Sequence, residues 1–368
     1  MRRTSTSRRK VLQTLGAGTV IGLAGCSSDG GGGDGDGGGD GGSNNDGSSD
    51  GGGSSGSGGS EDYSLSLRYA HGNAPDSFVG ENASRLAEEV EAVTDGRVTM
   101  EVFPAAELGD SSEIIEGIKT GSVDLAHNTW AGLASVKSDL AVFDHPYIYE
   151  DRDHALRAAN PQESELLQEF NSDLKQSQNM QVVGSVYYGY RHTTMNSAAT
   201  SPGDFEGKKI RAIPWDVYMA TVRGLGASPE PVAFSELPSA LATGLVNGQE
   251  NPLTTIYTNN FQDHQSHLIL SGHILSVMPI FMNSGSFEEM SSEDQQAFMG
   301  AIQTVGETTR EETVAREEEL VDILADEGGM TVVEESELDI EAFTESCHQQ
   351  VEDKFPNWNS YVETISNT

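Results

Sequence analysis

Two arginines and one asparagine are the residues of this chain best suited to hold a small anion. They are Arg191, Arg211 and Asn251, and they lie in the short sequences GYRHTT, KKIRAIP and GQENP. A guanidinium group matches a carboxylate in shape and charge, and an asparagine amide can both donate and accept hydrogen bonds. The chain carries 58 acidic and only 21 basic residues. Arginines in a cleft are therefore better explained by a ligand than by solubility, and the set predicts a site for an organic acid.

The sequence around Arg211 predicts that this residue lies near the end of a strand. Residues 209–213 are predicted to form a strand and residues 215–224 a helix, with Pro214 in its first turn. In open α/β sheets, ligands bind at the carboxyl ends of strands. A helix N-terminus adds partial positive charge at the same place. The local sequence thus favours an anion at Arg211.

The rest of the chain after residue 62 alternates predicted strands and helices. The predicted strands are 66–71, 98–103, 123–128, 180–187, 209–213, 231–233, 246–250, 267–271, 275–282 and 330–333. The predicted helices are 77–93, 111–120, 161–176, 215–224, 236–243, 293–326 and 340–354. The β-α-β order predicts an α/β fold with parallel strands. The helix at 293–326 is long and interrupted by charge, so we expect it to lie across two lobes with one face in water.

Residues 1–26 predict an export signal. Arg8 and Arg9 precede an apolar run from Leu15 to Ala24 that is too short to span a bilayer. The run ends in LAGC, a pattern typical of lipoprotein signals cut before a cysteine, here Cys26. An ordinary secretion signal with a chance cysteine is the alternative. We interpret the segment as a twin-arginine lipoprotein signal that leaves the protein lipid-anchored on the outer face of the cell membrane.

Residues 27–61 are almost entirely Gly, Ser, Asp and Asn, which predicts a disordered, flexible tether. Cys347 is the only cysteine besides Cys26. If Cys26 carries lipid, no disulfide and no cysteine metal site can form. Cys347 is then expected to be a small buried apolar residue.

The charge of the chain excludes one class of partner and suggests an environment. The signal contains five basic and no acidic residues, so the mature chain has 58 acidic against 16 basic residues, a net charge of −42. Nucleic-acid binding requires basic surfaces and is excluded. Acidic charge spread along the whole chain keeps a protein soluble in brine, and we interpret it as adaptation to high salt in a halophilic archaeon.

Four segments carry a resemblance to a known family. They are LRYAH with the helix after it, FPAAELGD through GSVD, GKKIR through GASP and FSE, and GLVNGQENP. In this order and spacing the chain, from about Leu65 to about Glu311, resembles the extracytoplasmic solute-binding subunit of tripartite ATP-independent periplasmic (TRAP) transporters, the DctP-type family. The resemblance implies capture of a small solute and its delivery to integral membrane subunits of an ion-driven transporter.

The resemblance also implies the architecture. Members of the family have a two-lobe periplasmic-binding-protein-like fold with crossing strands and a long lobe-spanning helix. By the match, the first lobe comprises residues 62–188 plus 277–316, and the second comprises 189–276 plus 317–368. The crossings are expected near Gly189 and Leu275, and the lobes are expected to close over one ligand.

The matched positions imply roles for the two arginines and the asparagine. Arg211 matches the family's arginine that clamps the ligand carboxylate. Arg191 matches a supporting arginine, which either touches the same carboxylate or pairs with an acidic side chain and positions the cleft. Asn251 is expected to bind the ligand, with a helix cap as its structural alternative.

Five further residues are candidates for the walls of the cleft. Phe234 and Trp215 are candidates for the apolar walls. Alternatively, Trp215 could be a residue of the hydrophobic core. Thr129 and Trp130 follow a predicted strand toward the same crevice. His71 ends the first strand, where it could bind a ligand oxygen or serve as a structural histidine.

The kind of acid is only partly constrained. Sialate-binding members of the family carry additional polar or acidic groups at the positions of Gly72, Ser111 and Thr129. Here these residues are small, which disfavours a large polyhydroxy sugar acid. A smaller keto, hydroxy or aromatic acid fits better, and neutral or zwitterionic compatible solutes remain open.

Two other classes of function remain open from the sequence. A solute-binding receptor of an ABC uptake or signalling system would have the same tethered domain but a different membrane partner. A secreted enzyme is the other, but no serine elbow at a strand-to-helix turn, HExxH motif or phosphate-binding glycine loop is present. We therefore expect a binding protein without catalytic residues, cofactor or metal.

Overall fold

The computed structural model describes residues 63–368. The predicted signal at 1–26, its Cys26 and the predicted tether at 27–61 lie outside the described residues. Within the described part, no helix is both long enough and apolar enough to cross a membrane.

Within residues 63–368, nine strands form one mixed sheet. In chain order they are β1 (Leu65–Ala70), β2 (Val98–Phe103), β3 (Leu125–His127), β4 (Met180–Met195), β5 (Lys209–Ala212), β6 (Ser228–Pro231), β7 (Gly248–Pro252), β8 (His267–Asn283) and β9 (Thr331–Val333). Across the sheet the order is β2-β1-β3-β8-β4-β7-β5-β6, with β9 paired to β8. The outer strands β2-β1-β3 and β7-β5-β6 are parallel within each group. The sheet therefore has two halves joined by β4 and β8.

The helices cover both halves of the sheet. In chain order they are α1 (Phe78–Val93), α2 (Ser111–Thr120), α3 (Arg152–Ala158), α4 (Glu165–Gln178), α5 (Asp216–Gly224), α6 (Leu237–Thr243), α7 (Leu253–Thr258), α8 (Ser284–Glu288), α9 (Ser292–Asp326), α10 (Ile340–Lys354) and α11 (Asn359–Ser366). Several begin at a side-chain cap. Ser77 caps α1, and Asp110 and Glu113 form a capping box at α2.

The strands β4 and β8 are the two crossing strands of the fold. They pair in antiparallel fashion from Met180–Asn283 at one end to Met195–His267 at the other. β8 also pairs with β3 in the first half, whereas β4 also pairs with β7 in the second. Each long strand thus runs from one lobe into the other.

The long helix α9 packs on both lobes, as predicted. Phe298 and Ile302, in its first half, share a hydrophobic core with β1 and α1. Leu320 and Leu324, in its second half, share a core with α7. The chain is therefore an α/β protein with two lobes, two crossing strands and one helix that connects the cores.

Several predicted elements have different bounds in the structure. The strand predicted at 180–187 continues to Met195. Gly189 adopts a positive φ of 112° in a β-bulge, and pairing with β8 resumes after the bulge, so the strand does not end there. The strands predicted at 267–271 and 275–282 are one strand, β8. Pro214 lies outside α5, whose N-cap is Trp215. The helix at 161–176 begins later, at Glu165, after the cap Ser164.

The end of the chain returns to the first lobe. The imidazole Nε2 of His154, on α3, lies 2.7 Å from the carbonyl oxygen of Ile365 on α11. Ile365 and Trp358 share a core with Phe170 of α4. From the sequence, residues 317–368 were all expected in the second lobe. In the structure, the last helix, α11, packs on α3 and α4, which were expected in the first lobe. Neither α3 nor α11 was predicted.

Candidate functional site

A buried ion pair joins β4 and β7. Arg191 is 1% exposed, and its Nε donates to Oε2 of Glu250 at 2.5 Å. Its Nη2 donates to Oε1 of Glu250 at 3.0 Å and to Oδ1 of Asn251 at 2.9 Å. The guanidinium also lies 5.2 Å from the centre of the Tyr218 ring. Arg191 is thus held on several sides, and its charge is balanced within the protein.

Glu250 is ionised in this pair. Burial alone would raise its pKa, but Arg191 and His273 outweigh burial and lower the pKa to about 2. The Nε2 atom of His273 lies 3.2 Å from Oε2 of Glu250. Burial lowers the pKa of His273, so this imidazole is neutral near pH 7. Arg191 and Glu250 therefore cancel as one positive and one negative charge.

Arg211 has a different environment, although its strand β5 lies only one strand, β7, away from β4. It is 2% exposed, and its Nε donates to the carbonyl oxygen of Val232 at 2.9 Å. Its Nη1 is buried without a hydrogen-bond partner. Among residues 63–368, no carboxylate lies within ion-pair distance of Arg211. Burial lowers its pKa to about 10, which still leaves the group charged at neutral pH.

Asn251 lies inside β7 and not at a helix cap. Its Oδ1 accepts from Arg191, and its Nδ2 donates to Oε1 of Gln249 at 2.5 Å. Gln249 is paired in the sheet with Arg211. Arg191, Asn251 and Arg211 thus lie on the adjacent strands β4, β7 and β5.

The turn after β3 contacts the same region through Asp144. The backbone N–H of Ala131 donates to Oδ2 of Asp144 at 2.8 Å. Burial raises the pKa of this carboxyl to about 7, while Arg191 opposes the rise. Trp130 is fully buried, and the centre of its ring lies 4.5 Å from the centre of the Phe143 ring. Its indole Nε1 has no hydrogen-bond partner. The hydroxyl oxygen of Thr129 accepts from the N–H of Gly132 and so caps this turn.

His71 belongs to a pair of stacked imidazoles at the ends of β1 and β3. Its ring lies 4.7 Å from the ring of His127, and both of its nitrogens are buried without partners. His127 is satisfied, since its nitrogens lie 2.8 Å from Oη of Tyr69 and 3.1 Å from Oδ1 of Asn73.

A small cleft lies between the two lobes, and one of its lining residues, Phe234, contacts Arg211. It is lined from the first lobe by Asn73 and Phe78 and from the second by Phe234 and Thr255. Phe234 is 43% exposed, and its ring centre lies 5.9 Å from the guanidinium of Arg211. Trp215 is half-buried and packs partly on the core that contains Phe143 and Tyr187.

Sequence reasoning did not identify Glu250, His273 and Asp144 as members of this site. Glu250 gave one signal, its position next to the candidate Asn251 in the segment GQENP. His273 and Asp144 carry no such local signal, since only tertiary packing brings them to Arg191. Among the residues described, no group of three or more His, Cys, Asp or Glu side chains is placed to hold a metal ion.

The chain matches one protein family over most of its length. The matching family is the "Bacterial extracellular solute-binding protein, family 7", also called DctP, and the match covers residues 69–357. The sialic acid-binding periplasmic protein SiaP of Vibrio cholerae is 30% identical over 249 residues, which are 67% of this chain and 76% of the relative. The ectoine-binding periplasmic protein TeaA of Halomonas elongata is 29% identical over 299 residues, 80% of this chain and 85% of the relative.

Solved structures show the same fold. A TRAP periplasmic solute-binding protein from Polaromonas sp. JS666 bound to D-erythronate superposes with a TM-score of 0.74 at 27% identity, over 82% of this chain and 98% of that one. Another from Roseobacter denitrificans, with bound 3-deoxy-D-manno-oct-2-ulosonic acid, has a TM-score of 0.75 at 25% identity, over 83% of this chain and 99% of that one. Because the family match covers well over half of its length, the chain belongs to the DctP family of extracellular solute-binding proteins.

Proposed function

We propose that this protein captures a small organic acid outside the cell membrane and delivers it to the integral membrane subunits of a TRAP-type transporter. The observation that carries the proposal is Arg211. A buried cation without a counter-ion is costly, and a ligand carboxylate would supply the missing charge together with an acceptor for Nη1. Relatives whose structures hold D-erythronate and L-galactonate support an acid as the ligand.

The other candidate residues take supporting roles in this proposal. Arg191, held by Glu250, orients Asn251 at the edge of the site. Phe234, Trp215, Thr129, Trp130 and His71 would form its walls. Because ligand contacts made by both lobes exist only when the lobes are closed, the ligand favours the closed state. The proposed lobes are 62–188 plus 277–316 and 189–276 plus 317–368, with the last helix packed back on the first lobe.

The test compares variants of Arg211 by calorimetry in molar salt. A thermal-shift screen of small organic acids first identifies a ligand. Arg211→Ala is expected to abolish measurable binding and Arg211→Lys to weaken it by about a hundredfold, since a lone ammonium cannot form the bidentate bond. Arg223→Ala, which changes an exposed arginine on α5, is the matched control. Unchanged affinity in either Arg211 variant would overturn the proposal.

A second measurement separates binding from folding. Arg211→Met keeps most of the side-chain volume but removes an unpaired buried charge. The ligand-free variant is therefore expected to unfold at the same temperature as the parent or higher. A large loss of stability would mean that Arg211 serves the fold.

The membrane attachment is proposed from the segment outside the described residues. The twin arginines and Cys26 support export as a folded, lipidated protein on the outer face of the membrane. Cys26→Ser is expected to release the protein into the medium, and retention in the membrane fraction would refute the anchor. Genes for two integral membrane subunits beside this one would agree with TRAP delivery, whereas an ATPase gene would favour an ABC system.

The acidic charge supports a halophilic archaeal source. Exposed charges of like sign repel one another, and dissolved salt shortens the range of this repulsion. The range is about 10 Å at 0.1 M salt and about 3 Å at 1 M salt. The melting temperature is therefore expected to rise steeply between 0.1 and 2 M potassium chloride. Equimolar sucrose, which does not screen charge, should reproduce little of the rise. A flat response to salt would contradict the proposed adaptation.

A further inference from the structure

The strand β4 has a free edge in the first lobe. Within the described part of the chain it pairs with β8 alone from Met180 to Tyr187, because its pairing with β7 begins only at Arg191. Val182 packs with α3 and α4 on one face of the sheet, and Val183 packs with α9 on the other. The free edge therefore lies between two layers of helices.

Two side chains show where the backbone groups of this edge point. The side-chain amide of Asn171, on α4, donates to the C=O of Val182 and accepts its N–H, both at 2.8 Å. A carboxylate oxygen of Glu317 accepts the N–H of Tyr190 at 2.9 Å. Val182 and Tyr190 therefore direct hydrogen-bonding groups away from β8.

Ser185 lies between these two positions and points the same way. In an antiparallel pair, residues alternate between facing the partner strand and facing away from it. Val182 lies opposite Phe281, and the bulge after it adds one residue to β4. Ser185 lies opposite Pro279, two residues along β8, so it also faces away from β8. Pro279 agrees with this direction, since it has no N–H to donate across the pair.

The N–H and C=O of Ser185 open into a groove. Among the described residues, Ser185 forms no backbone hydrogen bond outside the pairing of β4 with β8. Residues 183–185, α9 and the segment 153–163 line a cavity of about 470 Å³. Gly306 of α9 has no side chain to cover the carbonyl oxygen of Ser185, from which an added β-carbon would lie 3.6 Å.

A second cavity, of about 410 Å³, extends this space along α9. The two cavities share the lining residues Gln162, Met299 and Gln303. Together they form one groove, here called the edge groove, which follows α9 from Gln295 to Arg310. At the rise of an α-helix this is about 22 Å, the length of about six extended residues.

The lining of the edge groove combines apolar side chains with unpaired acidic ones. The apolar residues of the larger cavity include Leu156, Val183, Met299 and Ile302, and its charged residues are Asp153, Arg157, Glu163, Glu307 and Arg310. Asp153 pairs with Arg310, and Arg157 donates to the last residue of the chain at 3.3 Å. Glu163 and Glu307 accept only from neighbouring side-chain amides within residues 63–368. The groove therefore favours a basic occupant.

We propose that the edge groove is a docking site for an extended segment of a partner protein, which adds to β4 as a further strand beside Ser185. Backbone hydrogen bonds would fix its register, and alternate side chains would reach the groove walls. The segment is expected to carry lysine or arginine among apolar residues, to meet Glu163 and Glu307. This inference does not depend on the ligand of Arg211.

Charge argues against occupants supplied by the chain itself. The predicted tether at 27–61 contains aspartate but no lysine or arginine, and it has no apolar side chain for the groove. A second copy of the chain would bring its own net charge of −42. Both would add negative charge beside Glu163 and Glu307.

The test measures binding of synthetic peptides to the mature full-length chain in molar salt. One peptide of about six residues, blocked at both ends, alternates lysine with valine, and its match alternates glutamate with valine. The lysine peptide is expected to bind saturably and at least about tenfold more tightly. Methylation of alternate backbone nitrogens is expected to abolish binding in one of the two possible patterns, because it blocks the edge that meets β4. No saturable binding, or binding that survives both patterns, overturns the proposal.

Ser185→Pro tests the free edge itself. The variant removes the N–H that faces the groove, and proline is tolerated in a strand where its nitrogen faces away from the neighbour. Affinity for the lysine peptide is expected to fall at least about tenfold, while the unfolding temperature stays close to that of the parent. A large loss of stability would mean that this N–H is bonded within the sheet, and it would overturn the proposal.

A charge reversal tests the groove wall. Glu307→Lys is expected to weaken binding of the lysine peptide about fivefold, because an attraction becomes a repulsion. Glu88→Lys makes the same change at an exposed position on α1 and is expected to leave the affinity unchanged. Equal losses in both variants would mean that the peptide responds only to overall charge, which overturns the site.

Hydrogen exchange of the Ser185 amide separates the possible occupants. This amide is expected to exchange quickly in the free protein and slowly with the lysine peptide bound. Slow exchange in the free protein at every concentration would mean that another part of the chain fills the groove. Slowing that grows with protein concentration would mean that a second copy fills it. Either result would overturn the proposed occupant.

Discussion

A β-carbon on Gly189 would lie 2.5 Å from Oε1 of Glu317. This carboxylate is buried on α9 and accepts the N–H of Tyr190 at 2.9 Å through Oε1. Its Oε2 accepts the hydroxyl of Tyr187 at 2.9 Å and lies 3.8 Å from Nη2 of Arg152. Glu317 therefore attaches the long helix to the bulge in β4 where the strand passes between the lobes.

Gly189→Ala is expected to destabilise the protein by about 2 kcal/mol or more. The new methyl group would meet Glu317, and alanine would have to adopt the positive φ of 112°. Gly207→Ala is the control, because Gly207 has a φ of 75° and no atom within 4 Å of an added β-carbon. The free energy of unfolding of Gly207→Ala should fall by only about 1 kcal/mol. Urea unfolding in constant salt measures both, and equal losses would show that the contact with Glu317 has no effect.

Breaking the pair of Arg191 and Glu250 is expected to be far more damaging than breaking an exposed pair. Glu250→Gln leaves a buried guanidinium without its counter-ion, which costs about 3–5 kcal/mol. Glu312→Gln removes the exposed partner of Arg85 and should cost less than about 1 kcal/mol. The free energies of unfolding of both variants provide the comparison.

A double variant identifies the source of the loss. Arg191→Met combined with Glu250→Met replaces both charges by apolar groups, so it should recover much of the stability lost in Glu250→Gln. A double variant less stable than Glu250→Gln would contradict the explanation by an unpaired charge.

Local sequence predicted the elements whose signals are local. The helix 340–354 has its predicted bounds, and the helix predicted over 77–93 is α1, which follows the cap Ser77 and ends at Val93. The continuity of β4 and β8 could not be predicted, because glycines at 189 and 272 suggest breaks that pairing between the two strands overrides. Arg191 could be proposed as a site residue from its type and motif, whereas His273, which contacts Glu250, could be placed only by the tertiary fold.

Asp144 is expected to make stability depend on pH. Its folded pKa of about 7 lies above the ordinary value of 3.8. The folded protein therefore retains a proton that the unfolded chain releases between about pH 4 and 7. This contribution is fully present below pH 4 and is lost as pH rises to 7, by at most about 1.4 kcal/mol per pH unit. Asp144→Asn, which keeps an acceptor for Ala131, should lack this part of the slope.

Urea unfolding at several pH values checks the Asp144 prediction. The exposed substitution Asp76→Asn is the control and should leave the slope of the parent protein intact. Parallel pH profiles for Asp144→Asn and the parent would mean that this carboxyl is ionised in the folded state.

Two glycines, one on the exposed face of α9 and one in β4 where α9 packs on it, should respond to alanine in opposite directions. Gly300 is exposed within α9, and an added β-carbon there meets no atom within 4 Å. Gly300→Ala is therefore expected to stabilise the protein by about 0.5–1 kcal/mol through helix propensity. A β-carbon on Gly184 of β4 would lie 2.4 Å from Cγ2 of Ile302 on α9. Because Ile302 is branched at its β-carbon and cannot move aside freely, Gly184→Ala should destabilise by about 1–3 kcal/mol. If Gly184→Ala instead leaves the urea midpoint unchanged, the helix does not pack closely on the crossing strand at this point.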